Sequence, residues 1–125
     1  MISIVDDDQS VREATRSLLR SHGYTAATFA SAEEFLESGR VGDTSCLISD
    51  VRMAGLSGIQ LQRCLIDAGY RIPIIFMSAF PEERMRVAAL EGGARGFLTK
   101  PFSEQSLMSC LGRALAEPDA ESRGQ

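Results

Sequence analysis

Four short stretches of the chain carry side chains that can do chemistry together. The apolar run Ile2–Val5 is followed at once by Asp6, Asp7 and Asp8, and the run Cys46–Ser49 by Asp50. Ile72–Met77 is followed by Ser78, and Gly96–Leu98 by Thr99, Lys100 and Pro101. Adjacent carboxylates repel one another, and none of the first three stands four residues from a base that would pair with it on a helix. Such a cluster is best stabilised by a hard divalent cation, and Mg2+ prefers a few carboxylates together with waters and a phosphate oxygen. A carboxylate is also a covalent nucleophile towards phosphoryl groups. A cation and an ammonium such as Lys100 would neutralise the transferred oxygens, and the Ser78 hydroxyl would donate to one of them. The constellation is one nucleophile, one metal, one lysine and one hydroxyl.

The elements that must position these groups alternate along the chain. Residues 2–5 read as a first strand. Gln9–His22 carries Val11, Ala14, Leu18 and Leu19 at helical spacing, with Asp8 or Ser10 as its cap and Gly23 at its end. Residues 24–29 form a second strand. Ser31 opens SAEE, a capping-box pattern with Glu34, and a short helix runs to Ser38. Residues 46–49 are the third strand, and Ser57–Ala68 is a helix with Ile59, Leu61, Cys64, Leu65 and Ala68 inward. Ile72–Met77 is a near-continuous apolar strand, as expected when both sheet faces are covered. Pro81–Gly92 is a helix with proline in its first turn and Met85, Ala88 and Ala89 inward. Gly96–Leu98 is the fifth strand. Ser103–Ala116 is the last helix, with Leu107, Leu111 and Leu115 inward.

Strand–helix alternation of this kind predicts an α/β fold, a doubly wound five-stranded parallel sheet with helices on both faces. Ligands of such sheets sit beyond the carboxyl ends of the strands, at the switch point. With the flavodoxin-like order 2-1-3-4-5, strands one and three are neighbours there. Asp6, Asp7 and Asp50 then share one crevice, with Ser78 and Lys100 on its other side. Residues 1–116 make one domain, and 117–125 read as a polar linker or frayed tail.

Bulk properties narrow the function. The 125 residues carry a net charge of −4, which argues against sequence-independent nucleic-acid binding, since that needs a basic face. Cys46, Cys64 and Cys110 fit no zinc spacing and no disulfide framework, and are expected as buried or half-buried thiols. No secretory leader and no membrane-length apolar stretch is visible, so a cytoplasmic location is expected. His22 at a helix end reads as a dipole partner. Met77, Met85 and Met108 read as packing residues. Arg84 and Arg86, near Glu82, Glu83 and Glu91, read as a solvated helix face.

The stretches IVDDD, ISDVRM, FMSA and GFLTKPF, in this order and spacing, resemble response-regulator receiver domains of two-component signalling. SAEEFL and TKPF are similar to the FixJ-like subgroup of transcriptional regulators. The resemblance implies that Asp50 is the phosphoacceptor. It implies that Asp6 and Asp7 hold Mg2+, Asp7 directly and Asp6 largely through water, with the Arg52 backbone carbonyl completing the site. Ser78 and Phe97 align with the switch positions, Lys100 with the family lysine, and Lys100–Pro101 with a peptide that is cis in the family. A sensor histidine kinase is the implied phosphodonor, and a face of the fourth helix, fifth strand and fifth helix the implied homodimer surface. Such a domain is a regulatory switch rather than an enzyme with an external substrate, and the output the resemblance implies is transcription, through a DNA-binding domain absent from this chain.

One position departs from the pattern. Family members read Met-Pro shortly after the acceptor, and this chain reads Met53-Ala54. Proline fixes φ, so the loop after the third strand is expected to be looser here. Three other readings compete. A haloacid-dehalogenase-type phosphatase would use Asp6 as nucleophile, but it leaves SDVRM without a role and has no room for a substrate cap. A degenerate receiver that only binds proteins would not need every acidic, Lys and Ser position filled. A dinucleotide-binding domain needs GxGxxG after a strand, and EGGARG precedes one instead. Asp8 reads as the cap of the first helix rather than as a ligand.

Overall fold

The computed structural model describes residues 1–116; the tail expected at 117–125 lies outside the described residues. Strands β1 (Ile2–Val5), β2 (Ala26–Phe29), β3 (Cys46–Asp50), β4 (Ile74–Ser78) and β5 (Gly96–Thr99) alternate with helices α1 (Gln9–Ser21), α2 (Ala32–Glu37), α3 (Gly58–Asp67), α4 (Glu83–Glu91) and α5 (Glu104–Ala116). The strands form one parallel sheet in the expected order β2-β1-β3-β4-β5.

Side chains of a strand alternate between faces, and here both faces are apolar. Ile2, Ile4, Cys46, Ile48, Ile75 and Met77 point to one core, which Leu19 of α1 and Leu107 and Leu111 of α5 close. Val5, Leu47, Ile74 and Phe76 point to the other, against Phe35 of α2, Leu61 and Leu65 of α3 and Ala89 of α4. Each large aliphatic or aromatic side chain removed from water in this way contributes about 1.5–3 kcal/mol. That double burial explains why the central strands read as continuous apolar runs. Cys46 and Cys110 are buried and Cys64 half-buried, all as free thiols. Burial pushes the Cys46 thiol up to about 12, so it stays protonated and packs as a small apolar group.

Helix starts follow local chemistry. Asp8 caps α1 by accepting from the amides of Ser10 and Val11. Gly23, at φ +88°, makes the left-handed turn that ends the helix. His22 caps the same end and reaches Glu104 of α5 at 2.9 Å. Ser31 accepts from the Glu34 amide, but the Glu34 carboxylate returns to the Ala30 amide rather than to Ser31. A full reciprocal capping box stands instead at Ser57 and Gln60.

Several boundaries and faces differ from the sequence expectations. β4 begins at Ile74, because Pro73 has no N–H to donate to a ladder, although its carbonyl still accepts from Leu47 at 2.9 Å. β2 begins at Ala26 rather than at residue 24. Pro81 precedes α4 instead of opening it: Glu82 is still extended, and the helix starts at Glu83. Ala88 is exposed, and α4 buries only Ala89 fully. Ala14, Ala68 and Leu115 are also exposed, while Thr15, Gln62, Cys110 and Ala114 take inward places. A small side chain gives a weak periodic signal, and Gln62 is drawn inward by a 3.2 Å hydrogen bond to the Ala89 carbonyl.

Candidate functional site

The order β2-β1-β3 puts the ends of β1 and β3 side by side, with Val5 opposite Ser49. The residues just beyond this register therefore converge. Asp6, Asp7 and Asp50 each offer a carboxylate oxygen, and these oxygens lie within 4.8 Å of one another. Asp6 is fully buried, Asp50 nearly so, and Asp7 is exposed at the mouth.

Each acid has its own restraints. Asp6 Oδ1 accepts from the Asp8 amide at 2.9 Å, and its backbone carbonyl accepts from the Arg12 guanidinium at 2.7 Å. Lys100, at the end of β5, donates to Asp6 Oδ2 at 2.7 Å and to Asp50 Oδ2 at 3.2 Å. Its own amide donates to the Ser78 carbonyl at 2.8 Å, and the Lys100–Pro101 peptide is cis, as the resemblance implies.

The electrostatics follow from burial. Desolvation, then the charge of Asp6, raises the Asp50 carboxyl above its ordinary 3.8, although Lys100 and the Arg52 backbone amide oppose this. For Lys100, burial alone would depress the ammonium. The hydrogen bond to Asp6 and the charges of Asp50 and Asp6 together outweigh burial, so its pKa is raised. Three carboxylates against one ammonium leave an excess of two negative charges. An oxygen-only donor set with that excess suits a hard divalent cation. The cluster fits Mg2+ by donor chemistry and by charge.

The other predicted residues surround the cluster without all touching it. Ser78 is buried at the end of β4, and its Oγ accepts from the Phe80 amide at 3.2 Å. Phe97 is half-buried on β5, beside Phe76 in the register, and packs against the α2–α3–α4 core rather than in the crevice. Arg52 is exposed two residues beyond Asp50, and its guanidinium is ion-paired with Glu82. Asp8 serves α1 as expected.

Three contributors were missed by sequence reasoning. Arg12 clamps the Asp6 backbone, Glu82 holds Arg52, and Glu33 of α2 accepts from the Leu56 amide at 3.0 Å in the β3–α3 loop. Arg12 stands one turn into a helix that starts beside the acids, which is a readable signal. The other two bonds join residues 30 and 23 positions apart, and no local pattern encodes them.

Comparison with known proteins agrees with this geometry. The family profile described as "Response regulator receiver domain" matches residues 2–111. The chain is 44% identical over 115 residues to the response regulator protein TodT of Pseudomonas putida, covering 92% of this chain and 51% of that protein. It is 33% identical over 122 residues to the transcriptional regulatory protein FixJ of Azorhizobium caulinodans, covering 98% of this chain and 58% of FixJ. Among solved structures, FixJ-N superposes with a TM-score of 0.84 at 32% identity, over 95% of each chain. The response regulator StyR superposes at 0.86 with 45% identity, over 98% of this chain and 62% of StyR. The chain thus spans about half the length of the relatives it matches. No helix among the described residues is long and apolar enough to cross a membrane. With its sheet order, its strand-end carboxylates and these likenesses, the chain belongs to the response-regulator receiver domain family of two-component signalling.

Proposed function

We propose that Asp50 is the phosphoacceptor of this receiver and that a sensor histidine kinase supplies the phosphoryl group. A carboxylate oxygen of Asp50 attacks the phosphorus of a phosphohistidine. The P–O bond forms, the P–N bond breaks, and the imidazole leaves with the electron pair and takes up a proton. The observation that carries this reading is Lys100, which holds Asp6 and Asp50 together at the end of the sheet. Its ammonium is placed to neutralise oxygens gathering on Asp50. Asp6 is a poor nucleophile by comparison. It is wholly buried, and both of its oxygens are engaged by Lys100 and the Asp8 amide.

Asp6, Asp7, Asp50 and the Arg52 backbone carbonyl would hold Mg2+, which supplies Lewis-acid neutralisation of the phosphoryl oxygens when bound. Asp7, exposed at the mouth, is the direct ligand in this reading, and Asp6 acts largely through water. Ser78 Oγ gives up the Phe80 amide and donates to the phosphoryl group. Phe97 then turns inward into the space that Ser78 leaves. The phosphoryl group biases a two-state equilibrium through these differential contacts.

The face that responds is α4, β5 and α5. α4 is thinly anchored, with Ala89 its one fully buried residue, and Val87, Leu90 and Leu115 are exposed. A second copy of the domain docks on that face after phosphorylation. Residues 1–116 act as the receiver unit and 117–125 as the linker to a DNA-binding output domain outside this chain. The domain itself touches no nucleic acid and no membrane and works in the cytoplasm. It promotes only its own phosphorylation and dephosphorylation.

Intact mass after incubation with acetyl phosphate tests the reading. One phosphoryl gain that requires Mg2+ and is lost in Asp50→Asn is the expected result. A gain that survives in Asp50→Asn and disappears in Asp6→Asn would move the strand-one nucleophile ahead.

A further inference from the structure

We propose that Glu33 is a positioning residue for the carboxylate site, bracing the β3–α3 loop where the stiffening proline is replaced by Ala54. The proposal rests on the reading above, in which the Arg52 backbone completes the cation site. The loop leaves β3 at Asp50, carries Arg52, and is closed by the Gly58 amide donating to the Val51 carbonyl at 2.8 Å. Met53 and Leu56 pack from it into the α2–α3–α4 core. Between these anchors stand Ala54 and Gly55, both exposed. The Ala54 methyl leaves the backbone free where a proline ring would fix it, and Gly55, which has no side chain, takes φ +77°.

Glu33 reaches this weak point from α2. Its Oε2 accepts from the Leu56 amide at 3.0 Å. The carboxylate also lies close against Gly55: a Cβ added there would collide with Oε2 and stand 3.1 Å from both Cδ and Oε1. Oε1 is buried with no hydrogen-bond partner among the described residues. An acid that served only the N-terminal dipole of α2 would keep both oxygens in water. Glu33 instead buries Oε1 and gives Oε2 to a loop amide, which marks its place as set by the loop. A carboxylate–amide bond is charge-assisted and therefore stronger than the neutral kind. The consequence reaches the site through the backbone, since Arg52 lies four residues before Leu56 and its amide already faces Asp50.

The test uses the 15N-labelled full chain, titrated with MgCl2 and followed by amide shifts, with hydrogen exchange at the Leu56 amide and the thermal midpoint measured alongside. In Glu33→Ala, Leu56 exchange should accelerate about tenfold or more, as the loss of a charge-assisted bond commands, and the Mg2+ dissociation constant should rise roughly threefold to tenfold, the part of that loss passed on to the site. Glu33→Asp keeps the first-turn charge but is a methylene too short. It should weaken Mg2+ in the same direction, and it carries the test should the alanine variant not fold. Adding Ala54→Pro to Glu33→Ala should restore Mg2+ affinity without slowing Leu56 exchange, a result no merely structural role for Glu33 would give. Faster Leu56 exchange with Mg2+ affinity within about twofold of the parent would overturn the brace. A parent chain whose Mg2+ binding is absent, or indifferent to Asp7→Asn, would overturn the site reading itself and the brace with it.

Discussion

Replacing Lys100 by methionine separates electrostatics from packing at the site. The Lys100 side chain is 15% exposed, Asp6 0% and Asp50 11%. Removing the ammonium leaves two nearly buried carboxylates facing one another with no counter-charge. Breaking a buried pair in this way costs about 3–5 kcal/mol. The crevice opens to water at Asp7, so the lower end applies, about 3 kcal/mol. For a chain of this length that lowers the thermal midpoint by roughly 10 °C. The assay is thermal unfolding by circular dichroism in chelator, repeated across pH and then with Mg2+. The sign of the pH dependence follows from the raised Asp50 carboxyl. Between the unfolded value near 3.8 and the raised native value, the native state binds more protons than the unfolded one. Stability from this group therefore falls as pH rises through that window. Loss of Lys100 enlarges the effect, so the gap between variant and parent should be small in acid, widen through the window, and then level off. Mg2+ should narrow it again near neutral pH. A gap that is constant with pH and indifferent to Mg2+ would refute the electrostatic reasoning. It would point to the lysine stem, which lines a cavity with Val11, Leu18, Pro101 and Phe102.

Two further outcomes follow from the geometry. Asp7→Asn should weaken Mg2+ binding by about tenfold or more, because one of the few carboxylate ligands loses its charge, while the thermal midpoint in chelator holds or rises slightly as repulsion eases; isothermal titration and a melt on one sample check both. Gly58→Ala should destabilise the fold by about 1–3 kcal/mol and slow the phosphoryl gain, because a Cβ there collides with the Asp50 carbonyl oxygen and stands 3.0 Å from the Phe76 ring; denaturant unfolding and the rate of mass gain read the two effects.

The strand ends were the most legible part of the sequence. Asp6, Asp7, Asp50 and Lys100 each follow an apolar run, and a parallel sheet brings such positions together once its order is given. Burial of both faces made β3 and β4 readable as uninterrupted apolar stretches. Helix faces were less legible where alanine carried the pattern. Ala14, Ala68 and Ala88 fit helical spacing as well as the residues that are buried, yet they face out. The site's supporting bonds were not legible at all. SAEE reads correctly as a helix start, but the pattern engages Ser31 and Glu34 and leaves Glu33 unassigned. Its partner is a backbone amide, which has no sequence signature. Ala54 was readable as a loss of stiffness in the loop, whereas the carboxylate lying against Gly55 required coordinates. Pro81 shows a converse failure: proline suits a first helical turn, but here it precedes Glu82, which stays extended and pairs with Arg52.

The central claim is that the phosphoryl group resides on Asp50, and the most direct measurement locates the acyl phosphate chemically. Borohydride reduces an aspartyl phosphate to homoserine, and the conversion is read by peptide sequencing in a mass spectrometer. After treatment with acetyl phosphate and Mg2+, homoserine is expected at position 50 and nowhere else, and it should disappear when Mg2+ is chelated beforehand. Homoserine at position 6 or 7, with Asp50 intact, would contradict the account.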